Sequence, residues 1–290
     1  MDPTTSMYVS QAIHGLAYGM ILFLIASGLN IIFGMMGILN MAHASFFMLA
    51  AYFCYQIVVI TGNFWIGLLL APVLTAFCGV LMYRFFLRRL QAFGHLGQLM
   101  LTVGFQSIIL AGVKIFWGTD NKPLSVPPVL AGMVKFGGLE YPIYRLFVIG
   151  VALMVLVCMM LLLYKSRLGK IVRAAVSDGD MVNALGINIP LVFMLVFGFG
   201  TWLAGVAGVA IAPILTVGLE LSGQVGMDAF IVVVTGGFGS MAGAFIVAII
   251  FGLLSSFGIQ FLSAAAPVLM VGFMAIVLAF RPNGLFGVEE

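Results

Sequence analysis

Of 290 residues, 63% are hydrophobic and only 7% charged, against about 25% charged in soluble domains. So few charges cannot cover a soluble protein of this size, and the net charge of +3 is no nucleic-acid signature, because the basic residues are spread as in a membrane protein. The apolar stretches run unbroken for about 17–25 residues, the length a helix needs to cross ~30 Å of hydrocarbon, whereas a β-barrel alternates in segments of about ten. The composition predicts an all-α membrane protein, a polytopic bundle of transmembrane helices.

At the N-terminus, residues 1–11 contain Asp2 but no Lys or Arg. The positive start of a cleaved signal peptide is missing, so the first apolar segment is expected to be retained. The predicted spans are 13–33, 44–60, 64–83, 99–117, 143–164, 191–215, 243–261 and 264–280. A shorter apolar run at 229–235 is either part of a further crossing or re-entrant. Arg84, Arg88 and Arg89 follow the third span, Lys165, Arg167, Lys170 and Arg173 the fifth, and Arg281 the last. By the positive-inside rule these belong on the cytoplasmic side. Lys114, Lys122, Lys135 and Arg145 flank the loop 118–142, mixed with Asp120 and Glu140, and this loop is expected outside. The N-terminus is then external. Parity between Arg173 and Arg281 requires 220–240 to cross as well, which gives nine crossings rather than eight. Cys54, Cys78 and Cys158 lie apart within apolar segments and read as buried small hydrophobes, not a disulfide framework. Residues 1–290 are expected to form one domain, with a cytoplasmic loop at about 165–190.

Catalytic patterns are missing. His14, His43 and His95 are far apart, none in HExxH, and no Ser lies in GxSxG. Gly169-Lys170 is the nearest approach to a phosphate loop, but Tyr164 stands where its first glycine belongs and Ile171 where Ser or Thr belongs. No cofactor or metal is expected, and an enzyme is disfavoured.

The pattern instead suits a path. Glycine numbers 36, almost double the usual ~7% share, which permits close helix packing and helix breaks. The stretch from Gly34 to His43 lies between two spans and carries Asn40 and His43 without a nearby charge. Asn30, Gly34 and Gly37 share one helical face. An amide there either makes a helix–helix hydrogen bond or lines the route. Gly34-x-x-Gly37 with Ala42 and Phe46 is weakly echoed by Gly236-Gly237-x-Gly239 with Ala242 and Phe245, and duplicated halves are common in transporters. Glu220 and Asp228 are expected in an external loop; inside the membrane they would suit a proton- or cation-coupled carrier.

In the loop 165–190, Ser177 can cap a helix with Asp180 as its capping-box acid, Gly186 suits the position just past the helix end, and Pro190 follows. A two-turn helix fixed at both ends of a cytoplasmic loop is either a plain surface helix or one presented to a partner.

Several runs together resemble the permeases of branched-chain amino acid ABC transporters, of the LivH-type subunit. They are Gly28-Leu29-Asn30-Ile31-Ile32-Phe33-Gly34 with Asn40-Met41-Ala42-His43, Leu101-Thr102-Val103-Gly104-Phe105 leading to Phe116-Trp117-Gly118, Arg173-Ala174-Ala175 and Leu185-Gly186-Ile187-Asn188. Val232 to Ala244 and Arg281-Pro282-Asn283-Gly284-Leu285-Phe286-Gly287 continue the likeness to the C-terminus. The resemblance implies a single permease domain in a bacterial inner membrane, forming half of a translocation path. It also implies a second homologous permease, two cytoplasmic ATPases and a periplasmic solute-binding protein. Asn30, Asn40, His43 and Thr102 stand as candidates for the route. Arg173, Ala174, Ala175, Ser177, Asp178, Asp180 and Gly186 stand as candidates for a coupling helix that docks on an ATPase. Ser45 and Phe46 follow His43-Ala44 where many relatives carry Gly and an acid, a departure that bears on the path. Branched-chain amino acids are the default solute; urea, amides and other carboxylates are moved by related systems. The alternative is an ion-coupled carrier, which needs charged groups at mid-membrane.

Overall fold

The structure is a computed structural model that describes residues 3–90, 94–136, 139–262 and 266–287. Among the described residues, seven helices are long and apolar enough to cross a membrane: Thr5–Met36, His43–Thr61, Phe64–Leu90, Gly94–Trp117, Ile143–Lys165, Ile189–Ile211 and Met241–Phe261. Two shorter apolar helices, Leu221–Gly236 and Val268–Phe280, accompany them. The protein is a multi-pass helical bundle.

In chain order, the helices are α1 (Pro3–Met36), α2 (His43–Thr61), α3 (Phe64–Met82), α4 (Arg88–Leu90), α5 (Gly94–Trp117) and α6 (Ile143–Met160). Then come α7 (Arg167–Ser177), α8 (Gly179–Ala184), α9 (Ile189–Ile211), α10 (Leu221–Gly236), α11 (Met241–Leu262) and α12 (Ala266–Phe280). A π-type turn extends α3 at Tyr83–Leu87 and α6 at Leu161–Lys165, each leading into a basic cluster. The loop expected outside carries a small hairpin, β1 (Met133–Phe136) against β2 (Leu139–Pro142), with Lys135 and Glu140 paired at 2.6 Å. Lys122 also exchanges backbone hydrogen bonds with Val217, tying this loop to the α9–α10 connection.

α1 is the axis of the bundle. Its middle is apolar nearly all round, the pattern of a helix enclosed by protein or lipid. Residues 21–26 are at most 1% exposed, and α6, α9, α10 and α11 surround it. Its 34 residues span roughly 50 Å at ~1.5 Å each, so it extends well past the predicted 13–33. The contact with α11 rests on small residues. Gly15 and Gly19 face Ala248 and Gly252, and a Cβ on Gly19 would lie 2.6 Å from the Ala248 carbonyl oxygen. In lipid, where apolar burial gives helices no reason to associate, such close backbone approach supplies the attraction. Gln11 and Ser256 add a reciprocal pair, each side chain bonding the other's backbone carbonyl.

The segment that parity requires to cross is α10, sixteen residues long. At about 1.5 Å per residue that is some 24 Å, short of the ~30 Å core. Asp228 lies within α10, not in an external loop as the sequence suggested, while Glu220 precedes the helix. The flanking Gly218, Gly223 and Gly226 favoured a loop, but packing overrides that preference: Gly226 lets α10 close on Ala44 of α2, and Asp228 is satisfied by a 2.6 Å hydrogen bond from the Tyr18 hydroxyl.

Candidate functional site

Two regions hold the predicted residues. The first is a pair of helix breaks. α1 ends at Met36, three residues past the predicted end at 33, and Gly34 itself is helical. The break proper is 37–42, opened by Gly37 at φ 63° and closed where α2 begins at His43. It is buried: Ile38 and Ala42 are 0% exposed and Asn40 2%. A non-helical backbone at such depth must find partners for its freed polar groups. Thr102 supplies one, for its Oγ1 accepts from Met41 N at 3.2 Å and donates to Leu99 O at 2.9 Å.

The second break lies between α10 and α11. Gly237 at φ 99° and Gly239 at φ 81° turn the chain, and it packs against the last turns of α1, just ahead of the first break. Asn30 grips it at both ends of its amide: Nδ2 donates to Ser240 O at 2.7 Å and Oδ1 accepts from Gly239 N at 2.6 Å. A Cβ on Gly34 would lie 2.7 Å from Gly239 Cα, and the rings of Phe33 and Phe238 sit 4.2 Å apart. The glycine stretches echoed in the sequence thus meet through Gly34, near the end of α1, and Gly239 of the second break. The C-terminal run 281–287 completes the second one. Leu285 N donates to Thr235 O at 2.9 Å and Phe286 N to Gly236 O at 3.1 Å, so this tail satisfies the last carbonyls of α10. Nothing in the sequence pointed to that pairing.

Asn40 and His43 are of another kind. Neither amide atom of Asn40 has a hydrogen-bond partner among the described residues, and the same holds for His43 Nδ1, Ser45 Oγ, Gln98 Oε1 and Thr235 Oγ1. His43 Nε2 lies 3.0 Å from Ile25 O. Its ring packs on Gly28, where a Cβ would come within 2.9 Å. Buried side-chain polar atoms usually have partners, and leaving one unmade costs about 1–3 kcal/mol. Of the four candidate route residues, Asn30 and Thr102 thus hold the breaks, while Asn40 and, at Nδ1, His43 keep unsatisfied polar atoms.

The second region is the loop 165–190. It contains two helices, not one. Ser177 is the last residue of α7, not the cap of the next helix, and the side chains of Ser177 and Asp180 lie outside the described residues. Asp178 is the cap: its Oδ1 accepts from Met181 N at 2.9 Å. A carboxylate suits this position by both hydrogen bond and helix dipole. Asp178 competes with Ser177 for the position and wins because the α7 helix runs through Ser177. At the far end Gly186 takes φ 83°; its N–H reaches Asn183 O at 2.9 Å, and Ile187 N reaches Val182 O at 3.3 Å. This is the Schellman arrangement that ends helices at glycine. α7 carries Arg173, whose guanidinium donates to Leu163 O and lies over the Tyr164 ring, and Ala175, which is buried. Ala174 is exposed. Gly169 lets α7 fold back hard against the Leu162 and Leu163 carbonyls.

Chemically, α8 presents a mixed surface. Val182 is 5% exposed and anchors it, while Met181 and Leu185 are 60% and 73% exposed. Those two are four residues apart and share a face. Arg84 and Arg88 line one pocket with Asn188, Pro190 and Leu191 just beyond α8. The basic end of α3 and the capped loop are therefore neighbours.

The family model described as "branched-chain amino acid transport system / permease component" matches residues 11–280. The chain belongs to this family. Among its relatives, the high-affinity branched-chain amino acid transport system permease protein BraD of Pseudomonas aeruginosa is 28% identical over 99% of this chain and 98% of its own. The corresponding permease protein LivH of Escherichia coli K12 is 26% identical over 98% of this chain and 96% of its own. A solved structure, PsaBC from Streptococcus pneumoniae in complex with Fab, aligns at a TM-score of 0.52 with 11% identity, covering 94% and 92% of the two chains. That likeness concerns the fold alone. The permease is thus an integral membrane transport component rather than an enzyme, and its family does not favour an ion-coupled carrier.

Proposed function

We propose that this permease is the LivH-type subunit of an ATP-binding-cassette importer in a bacterial inner membrane. It forms half of the route for branched-chain amino acids or related small polar solutes. Its single domain, residues 1–290, crosses nine times with the N-terminus outside. The other half of the route is a second, homologous permease. Two cytoplasmic ATPases supply the work and a periplasmic binding protein delivers the solute; no nucleic acid takes part. The likeness to the branched-chain amino acid permeases BraD and LivH, which runs over nearly the whole chain, supports the solute class.

The observation that carries the coupling part is the α8 surface. Met181 and Leu185 are exposed apolar side chains on a helix too short to persist alone, yet it is fixed by Asp178 and Gly186 at its ends. Such a surface is presented to a partner. The basic cluster of Arg84 and Arg88, packed near the end of the same loop, supports a cytoplasmic address for that loop. Within the bundle, Asn40 and His43 are the groups suited to the route, because their polar atoms are not committed to holding the breaks.

The test replaces Met181 and Leu185 by Gln, which keeps helix propensity and removes apolar surface. Membrane insertion should be normal, and ATPase co-purification should fall roughly tenfold, as for loss of a small interface anchor. Unchanged co-purification together with unchanged solute-stimulated hydrolysis would refute the assignment of α8.

A further inference from the structure

A cavity of about 440 Å³ lies between the first half of α1, the start of α6, the end of α9 and the second half of α11. Its volume falls within the ~300–1,000 Å³ of small-molecule sites. The wall holds Gln11, His14, Tyr18 and Arg145 on an aliphatic background that includes Ile211 and Ile214. Gln11, His14 and Tyr18 follow one face of α1.

Arg145 decides what the cavity can take. Its Nη1 donates to His14 Nδ1, and the Tyr141 hydroxyl lies 3.1 Å from the same nitrogen, so neither neighbour is a carboxylate. An arginine only donates, so His14 accepts at Nδ1 and carries its proton on Nε2. The one ion pair among the described residues, Lys135–Glu140, is elsewhere. A half-buried guanidinium with no carboxylate partner among the described residues is an anion site in chemistry, since charged groups near hydrocarbon call for a partner. One turn further along α1, the Tyr18 hydroxyl holds Asp228 at 2.6 Å. An acidic side chain therefore stands within one hydroxyl's reach of the same cavity.

We propose that this cavity is a binding site for a small solute bearing a carboxylate and an aliphatic body, with Arg145 taking the carboxylate. The Tyr18 hydroxyl, which holds Asp228, is offered to an amino group, and the isoleucines enclose the hydrocarbon part. On the orientation proposed above this end faces outside, so the site is a first stop for solute entering the permease. The inference rests on the permease reading and adds a place and a residue to it. A lipid phosphate shares the chemistry that Arg145 recognises, and the experiment separates the two.

The complete importer, in lipid nanodiscs and without its binding protein, is titrated with tritiated L-leucine. Saturable binding should be competed by 4-methylpentanoate, which keeps the carboxylate, and not by 3-methylbutylamine, which lacks it. Arg145→Gln should weaken binding roughly ten- to a hundredfold, the worth of a charge-assisted hydrogen bond. Ile214→Trp, which fills the cavity from another wall, should abolish it. Absence of saturable binding, competition by the amine alone, or wild-type affinity in a correctly assembled Arg145→Gln complex would each overturn the proposal. So would native mass spectrometry that finds an anionic phospholipid on the wild type, lost in Arg145→Gln, with no leucine bound. The analogue competition uses the wild type and stands even where a variant misfolds. ATPase co-purification from the same preparations tests the permease reading separately: ATPases present with no leucine bound sinks this site alone.

Discussion

The break at 37–42 and the loop helix α8 both depart from long regular helices, yet they are made of opposite materials. The break is enclosed, with Ile38 and Ala42 fully buried, and is held by polar side chains reaching in from other helices. α8 holds itself together with its own caps and leaves Met181 and Leu185 outside. A buried irregular segment must be satisfied by its surroundings, so its conformation is a property of the whole bundle. An exposed one has to carry its signals locally, and is therefore free to serve a surface. The comparison predicts that damage at the breaks spreads through the fold, while damage at α8 stays confined to what docks there.

The largest effect should come where the end of α1 meets the second break. Gly34→Leu puts a branched side chain where even a Cβ would lie 2.7 Å from Gly239 Cα, a backbone atom that cannot swing aside. Overpacking of this kind costs about 1–3 kcal/mol or more, and here it also separates Asn30 from the Gly239 turn. Size-exclusion profiles after heating in detergent should show loss of the monodisperse species. A wild-type profile would mean that the contact of α1 with the second break is incidental.

A sharper comparison sets two asparagines against each other. Asn30→Leu leaves the Gly239 N–H and the Ser240 carbonyl without a side-chain partner, at about 1–3 kcal/mol each. Asn40→Leu removes two atoms that have no partner among the described residues, so stability should hold or rise. Its uptake of solute should nevertheless drop, because the route loses a polar group. Melting temperature and uptake, measured on both variants, decide the matter. If Asn40→Leu melts as low as Asn30→Leu, Asn40 is a packing residue and not part of the route.

The sequence made some of this legible and hid the rest for physical reasons. Long apolar segments are read directly, because nothing but a helix satisfies a backbone in hydrocarbon. The basic clusters and parity even demanded a crossing near 220–240, where α10 is too short to announce itself. Asp228 was misread because a carboxylate flanked by glycines looks like loop until its partner is known, and Tyr18 is some two hundred residues away. The roles of Asn30 and Thr102 were hidden for the same reason, since both act on backbone distant in sequence. Local signals fared better: Gly186 ends α8 as a glycine at that spacing should. At the other end, two capping residues stood side by side and the sequence could not choose between Ser177 and Asp178.

The smallest change to the fold, and the most specific to function, should come from Gly186→Val. A β-branched residue at φ 83° is a strained outlier, because its side chain meets its own backbone. The cost arises from the torsion alone, since a Cβ at Gly186 would meet nothing within 4 Å. It is about 1–3 kcal/mol, enough to undo the two hydrogen bonds that close α8 and to let Leu185 swing away from Met181. The buried core contains neither Gly186 nor its partners in that turn apart from Val182, so the melting temperature of the bundle should move little. ATPase co-purification, and the stimulation of hydrolysis by loaded binding protein, should both decline. Gly186→Asn is the control, because asparagine tolerates positive φ better than valine and should restore much of both. Two variants alike in stability but ranked Asn above Val in coupling would tie the loss to the turn itself. Full stimulation in Gly186→Val would make α8 a solvated connector, and the work of the ATPases would have to enter the bundle at another surface.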